Sequence, residues 1–190
     1  MRLFYALVPD DAVRATLASA GSALAGDVGG RAIPAANVHA TVVFVGDAAE
    51  ASLPCLRAAL QAMPRTAFTL SLDRIGAWRA ARVAWLAPGV VPPALATLHD
   101  RLTAAVAACG RPTETRPFRP HVTLVRRPLR PPREGAVAPI AWHVRRLALM
   151  RSDGTPDGVR YREVDAVALG EAASSVSGED PSGGDAARRR

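Results

Sequence analysis

The chain contains no lysine, so all 24 of its basic residues are arginine. It has two cysteines in 190 residues, Cys55 and Cys109, and these form neither a metal-ligand spacing nor a disulfide framework. Both fall in apolar helical patterns and read as buried thiols. No apolar run is long enough to span a bilayer. The opening Met1-Arg-Leu-Phe-Tyr-Ala-Leu7 is too short for a secretory core, because Pro9-Asp10-Asp11 interrupts it. The glycine fingerprints of dinucleotide and Walker-type phosphate sites are missing. These absences exclude a membrane span, a disulfide scaffold and the common nucleotide folds, and they leave a soluble, cytoplasmic protein as the expectation.

The residues that are present point more sharply. A hydrophobic content of 49% excludes global disorder. A net charge of +7 and an isoelectric point near 11 favour a polyanionic partner, with nucleic acid first. Arginine suits phosphate through its planar fork of donors, although its abundance beside so much alanine also fits genomic base composition.

Taken in order, Arg2 to Val8 reads as a strand ended by Pro9, and an aspartate cap then starts a helix with Val13, Leu17, Ala20 and Leu24 on one stripe. A glycine-rich turn leads to a strand at Val38 to Val45. A second helix carries Leu53, Leu56, Leu60 and Met63. Strands are expected at Phe68 to Leu72 and Arg82 to Leu86. A third helix begins near Pro92-Pro93, which sit where helix N-termini accept proline. Val122 to Val125, Trp142 to Met150 and Tyr161 to Leu169 complete the strands, with loops at Pro128 to Pro139 and Ser152 to Gly158. Residues 1–170 make one domain. Residues 171–190 turn to Ser, Gly and charge and read as a disordered tail.

Two stretches share a pattern: Asn37-Val-His-Ala-Thr-Val-Val-Phe-Val-Gly46 and Arg116-Pro-Phe-Arg-Pro-His-Val-Thr-Leu-Val-Arg-Arg127. Strand alternation puts His39 with Thr41, and His121 with Thr123, on one face of each strand. Each His-x-Thr strand follows a strand and a helix. Thirty-seven residues separate Arg2 from His39, and thirty-nine separate Arg82 from His121. The matched frames imply an α+β, bilobal, duplicated fold: two antiparallel-rich sheets flanked by helices around a central cleft. A parallel α/β sheet is the alternative. If both strands line the cleft, one neutral imidazole can act as base and one protonated imidazole as acid. Phosphodiester cleavage needs that division, and the threonine hydroxyls and an arginine can hold the non-bridging oxygens. Two histidines without a nearby carboxylate make a poor metal site, so neither metal nor other cofactor is expected.

These two motifs resemble the paired motifs of the two-histidine phosphoesterases, and most closely the bacterial and archaeal RNA 2′,3′-cyclic phosphodiesterases, also named 2′-5′ RNA ligases. The resemblance runs from about Leu3 to Leu169. It implies hydrolysis of a 2′,3′-cyclic phosphate at an RNA end to a 2′-phosphate, with tRNA fragments and nucleotides as the candidate carriers of that end. It implies His39 as proton donor to the leaving 3′ oxygen and His121 as the base that activates water. Thr41, Thr123 and Arg126 would bind the phosphate. Strict alternation puts Arg127, not Arg126, on the His121 face; a β-bulge would reconcile the two. The alternatives are 2′-5′ ligation of tRNA halves in the same site and a non-catalytic module that binds RNA ends. Phe44 reads as core before it reads as a residue near a nucleobase, and Trp78, in an arginine-bearing loop, as a minority candidate for base stacking. His99 and His143 read as structural, and a monomer is the simpler expectation.

Overall fold

The computed structural model describes residues 1–155 and 158–170; the expected tail at 171–190 lies outside the described residues. β1 (Arg2–Leu7) is buried from Leu3 through Leu7, so it is covered on both faces. Pro9 ends it, and the Asp10 carboxylate then accepts from the Val13 amide at 2.9 Å, capping α1 (Asp11–Val28). Leu17, Gly21, Leu24 and Val28 form its buried stripe. Two residues of β2 (Arg31–Ala32) and a short turn lead to β3 (Ala40–Asp47). α2 (Leu53–Gln61) follows, held to β1 where the Tyr5 hydroxyl donates to the Leu56 carbonyl at 2.7 Å. Then come β4 (Phe68–Trp78), β5 (Val83–Ala87), α3 (Pro93–Ala108) and β6 (Val122–Arg126). The chain closes with β7 (Gly135–Val144), β8 (Arg146–Thr155) and β9 (Gly158–Ala168).

The strands lie in the order β7-β4-β5-β6-β3-β1-β8-β9, with β2 beside β6, and the paired strands run antiparallel. This is the α+β alternative, not the parallel one. The expected pair of sheets is present as two four-stranded halves. One residue pair, Ala40 with Val122, joins them into a single sheet. Beyond that pair β6 turns to β2, through Val125 with Ala32 and Arg126 with Arg31, so β3 and β6 part and a cleft opens between them. The halves also interlock. α1 packs on β6 and α3 on β3, while β8 and β9 return to β1. Gly21 permits the first of these contacts, since a Cβ there would stand 3.2 Å from the Leu124 carbonyl.

Several local expectations change. Cys55 and Cys109 are not buried thiols: they form a disulfide across a Cα–Cα distance of 5.9 Å. Cys55 lies on the outer side of α2 away from Leu56, Ala59 and Leu60, and Cys109 caps the end of α3. Where α2 and α3 meet is a tertiary fact that neither periodicity contains. Trp78 ends β4 rather than standing in a loop. The run Trp142 to Met150 divides into β7 and β8, and the described part of the 152–158 loop is the tip of the β8–β9 hairpin.

Candidate active site

The pair that joins the halves also places the histidines. His39 immediately precedes Ala40 and His121 immediately precedes Val122, so pairing those two residues brings both imidazoles to the mouth of the cleft. There a cavity of about 450 Å³ is lined by His39, Thr41, His121, Thr123, Arg126 and Tyr161, among others. All five residues expected at the site share this one cavity.

Each histidine is oriented by the carbonyl two residues before it. His39 Nδ1 lies 2.7 Å from the Asn37 carbonyl oxygen, and His121 Nδ1 lies 2.9 Å from that of Arg119. A carbonyl only accepts, so Nδ1 carries the hydrogen in both rings, and in the neutral form Nε2 holds the free lone pair. The Thr41 hydroxyl donates to His39 Nε2 at 3.1 Å. Both rings can therefore take a proton at Nε2 and return it without turning.

Electrostatics hold both imidazoles neutral in the ligand-free cleft. Burial pushes His39 down from 6.5 to about 4. The Asn37 carbonyl opposes that shift, and the nearby His121 and Arg126 add to it. His121 is also lowered, by burial, against the opposing bond to Arg119. An entering anion would reverse these biases, because it restores a charge partner for the imidazolium.

A bulge determines which of the two arginines faces the cavity. Trp85 pairs with Thr123 and Ala84 with Val125, which leaves Leu124 without a partner on β5. Leu124 and Val125 both face inward, and alternation resumes one residue late. Arg126 consequently shares the face of His121 and Thr123, while Arg127 takes a φ of 51° and is not among the residues lining the cavity. Gly30 braces the end of β6. Its φ is 93°, and a Cβ would come within 2.7 Å of the Arg126 and Arg127 carbonyl oxygens.

Three neighbours join the site, of which the sequence singles out Trp78 alone. Tyr161, on β9, sets its ring edge-on to His39 at 4.9 Å, and its hydroxyl lies 3.4 Å from Arg126 Nη2. It reaches the site only because the β8–β9 hairpin returns to β1. Asn37 stands inside the first motif, yet its part is visible only here. Its side chain donates to the Val159 carbonyl at 2.7 Å and so ties β9 to the turn that holds His39. Trp78 packs against His121, ring centroids 4.3 Å apart. Of the remaining histidines, His143 lies on β7 beside Thr69, away from the cavity. His99, read as structural, stacks on Phe118 at the wall of a second cavity. Among the described residues no group of three His, Cys, Asp or Glu side chains could hold a metal ion, and no helix is long and apolar enough to cross a membrane.

Comparison with known proteins agrees with this geometry. A protein from Thermus thermophilus named RNA 2′,3′-cyclic phosphodiesterase is 30% identical, over 96% of this chain and the whole of that protein. One of the same name from Escherichia coli is 35% identical over 97 residues, which span 51% of this chain and 55% of that protein. Among solved structures, E. coli LigT complexed with 3′-AMP superposes with a TM-score of 0.78 at 27% identity, covering 88% of this chain and 97% of the other. TT0787 of T. thermophilus gives 0.75 at 30% identity, covering 89% and 98%. The family model described as the 2′-5′ RNA ligase superfamily matches residues 7–156, a span that holds both His-x-Thr strands and most of the sheet. With the two motifs facing each other across one cleft, this chain belongs to that superfamily, the two-histidine phosphoesterases.

Proposed function

We propose that the protein hydrolyses 2′,3′-cyclic phosphate ends of RNA to 2′-phosphomonoesters by acid–base catalysis between His39 and His121. Its relatives' names support a phosphodiesterase of this kind, and one observation supports the mechanism above others. Two imidazoles, each pinned at Nδ1 with the lone pair of Nε2 turned the other way, line one cavity with two threonine hydroxyls and one guanidinium.

In the reaction His121 Nε2 takes a proton from water as the water oxygen attacks phosphorus. The bond from phosphorus to the 3′ oxygen breaks, and that oxygen receives a proton from His39 Nε2. A 2′-phosphate and a free 3′-hydroxyl result. Arg126 and the hydroxyls of Thr41 and Thr123 bind the non-bridging oxygens and offset charge that builds in the transition state. The order of roles follows the family resemblance. His39 needs a proton that it lacks in the empty cleft, and the phosphodiester anion supplies the attraction that lets it keep one. Positioned proton transfer of this sort contributes about 10²- to 10⁴-fold each.

The test is incubation of an RNA oligonucleotide ending in a 2′,3′-cyclic phosphate with the protein in excess EDTA, read by phosphorus NMR. A 2′-phosphate product is expected. A 3′-phosphate, or tight binding without turnover, would overturn the proposal; the latter would leave an RNA-end-binding module. The superfamily's name keeps a second reading in view, joining of RNA ends through a 2′-5′ linkage, in which a 5′-hydroxyl attacks the cyclic phosphate in place of water and the 3′ oxygen leaves. It predicts product only at high concentrations of matched ends.

A further inference from the structure

The two imidazoles are not held alike. His39 is restrained at both nitrogens, by the Asn37 carbonyl at Nδ1 and the Thr41 hydroxyl at Nε2. It also packs on Phe4 and Tyr161, whose ring centroids lie 5.1 and 4.9 Å away. Among the described residues the His121 ring has one hydrogen bond, between Nδ1 and the Arg119 carbonyl. Arg119 stands in the irregular segment between α3 and β6, and one bond at Nδ1 leaves the ring free to swing about it. Packing has to fix the plane in which Nε2 points. Among the described residues the one aromatic ring on His121 is that of Trp78, with centroids 4.3 Å apart and planes 74° apart. Edge-to-face contact is a preferred arrangement of such rings and a directional one.

Trp78 has a support of its own. β4 and β5 pair Trp78 with Val83 and Gly76 with Trp85. Residues 76 and 78 share one face of β4, and paired residues share a face too, so Trp85 rises beside Gly76. With no side chain at 76, the Trp85 indole lies across β4 towards Trp78. A Cβ on residue 76 would stand 2.5 Å from Trp85 Cζ2. The two indoles meet with centroids 5.4 Å apart. The Trp85 N–H is buried and has no partner among the described residues, a cost that the packing of its ring has to offset. The other half of the molecule has no copy of this support. There Ala6 faces Thr41 as Trp85 faces Thr123. Neither Gly76 nor Trp85 lines the histidine cavity or the one beside it.

We propose that Trp78 is a positioning residue for the base: backed by Trp85 over Gly76, it fixes the plane of the His121 imidazole so that the Nε2 lone pair meets the attacking water. This rests on the phosphodiesterase reading, since His121 is the base only in that reaction. The effect is geometric. A proton acceptor works only within hydrogen-bond reach of its proton, and a misplacement of about 1 Å costs up to about 10²-fold in rate. The loss falls on kcat, because a misaimed base weakens no contact that the bound substrate already makes. His39, restrained at both nitrogens, does not depend on this support.

Kinetics and nitrogen-15 NMR of the full chain test this together. Trp78→Leu should lower kcat for the cyclic-ended oligonucleotide by about tenfold or more, and Trp78→Phe should keep most of it. Gly76→Ala touches neither cavity and acts by displacing the Trp85 ring. It should lower kcat by about tenfold with KM unchanged, and it should add no further loss in the Trp78→Leu background. Trp85→Phe, which narrows the support without a clash, serves as the second remote variant with the same expectation. In the ligand-free protein near neutral pH, the His121 ring should show the single Nδ1–H tautomer, and a mixture in Trp78→Leu, with His39 unchanged. Full kcat or one tautomer in Trp78→Leu, or equal losses from Gly76→Ala with and without Trp78, would overturn the proposal. Tautomers that respond as stated in a protein that does not hydrolyse the substrate overturn the hydrolase reading and leave the hold on His121 standing. Hydrolysis that is indifferent to Trp78 does the converse.

Discussion

Acid should destabilise the folded protein through His39, by an amount the cleft geometry sets. Its imidazole titrates near 6.5 in an unfolded chain and about 4 in the fold. A histidine with a lowered folded pKa binds more protons when unfolded, so stability is intact above 6.5 and lost as pH falls from there towards 4. The full shift corresponds to ~3 kcal/mol at 1.36 kcal/mol per pH unit. His39 borders an open cavity, and solvent screening there reduces the expected loss to about 2 kcal/mol. The perturbation is His39→Asn, which keeps a polar side chain but cannot titrate. Urea denaturation at pH 7 and at about pH 4.5 gives four stabilities. Carboxylates that titrate in this window, and His121, contribute to both proteins and cancel in the comparison. The stability that the intact protein loses between the two conditions should exceed the variant's loss by about 2 kcal/mol. Equal losses would refute the reasoning, because they would mean that His39 is hydrated like a surface residue.

Other consequences of the same geometry are open to direct tests. With both imidazoles held below 6.5 in the free enzyme, both limbs of the kcat/KM profile should lie on the acid side of that value, and an alkaline limb above pH 7.5 would contradict this. Arg126→Gln should lower kcat/KM by about 10²-fold, the scale of one oxyanion donor, while Arg127→Gln changes it little; steady-state kinetics showing the reverse ranking would place the bulge wrongly. Replacing the 3′ oxygen of the cyclic diester by sulfur supplies a leaving group that needs no acid. That substrate should restore turnover to His39→Ala and not to His121→Ala, and restoration of His121→Ala alone would exchange the two roles. Cys55→Ser opens a cross-link between residues 54 apart and should cost about 2–4 kcal/mol in urea denaturation. No loss would mean that the α2–α3 contact holds itself.

The parts of this structure that could be read in advance are those written as local pattern. His39, Thr41, His121 and Thr123 stood out because one spacing occurs twice in a duplicated frame, and a single copy would have carried little weight. The helices and most strands follow from alternation and from the leucine stripes, although the first half of β7, from Gly135, lies in a stretch that reads as loop. The parts that could not be read depend on where distant segments meet. One residue pair turns two sheets into one, which no periodicity encodes. Tyr161 reaches His39 through a hairpin that returns across the sheet, and Cys55 reaches Cys109 through the packing of two helices. The bulges are an intermediate case. Arg126 conflicted with strict alternation, which located the β6 bulge. Phe44 follows a similar bulge in β3, where Tyr5 pairs with Val43 and Ala6 with Thr41, but a phenylalanine in an apolar run raises no conflict and reads first as core.

The central claim, that His39 and His121 divide the work of acid and base in one cleft, is tested most directly by the single alanine variants. The measurement is single-turnover hydrolysis of the cyclic-ended oligonucleotide by His39→Ala and by His121→Ala, with circular dichroism to confirm that each variant folds. The account predicts that each loses at least about 10²-fold in rate. A folded variant of either residue that keeps more than a tenth of the intact rate would contradict it.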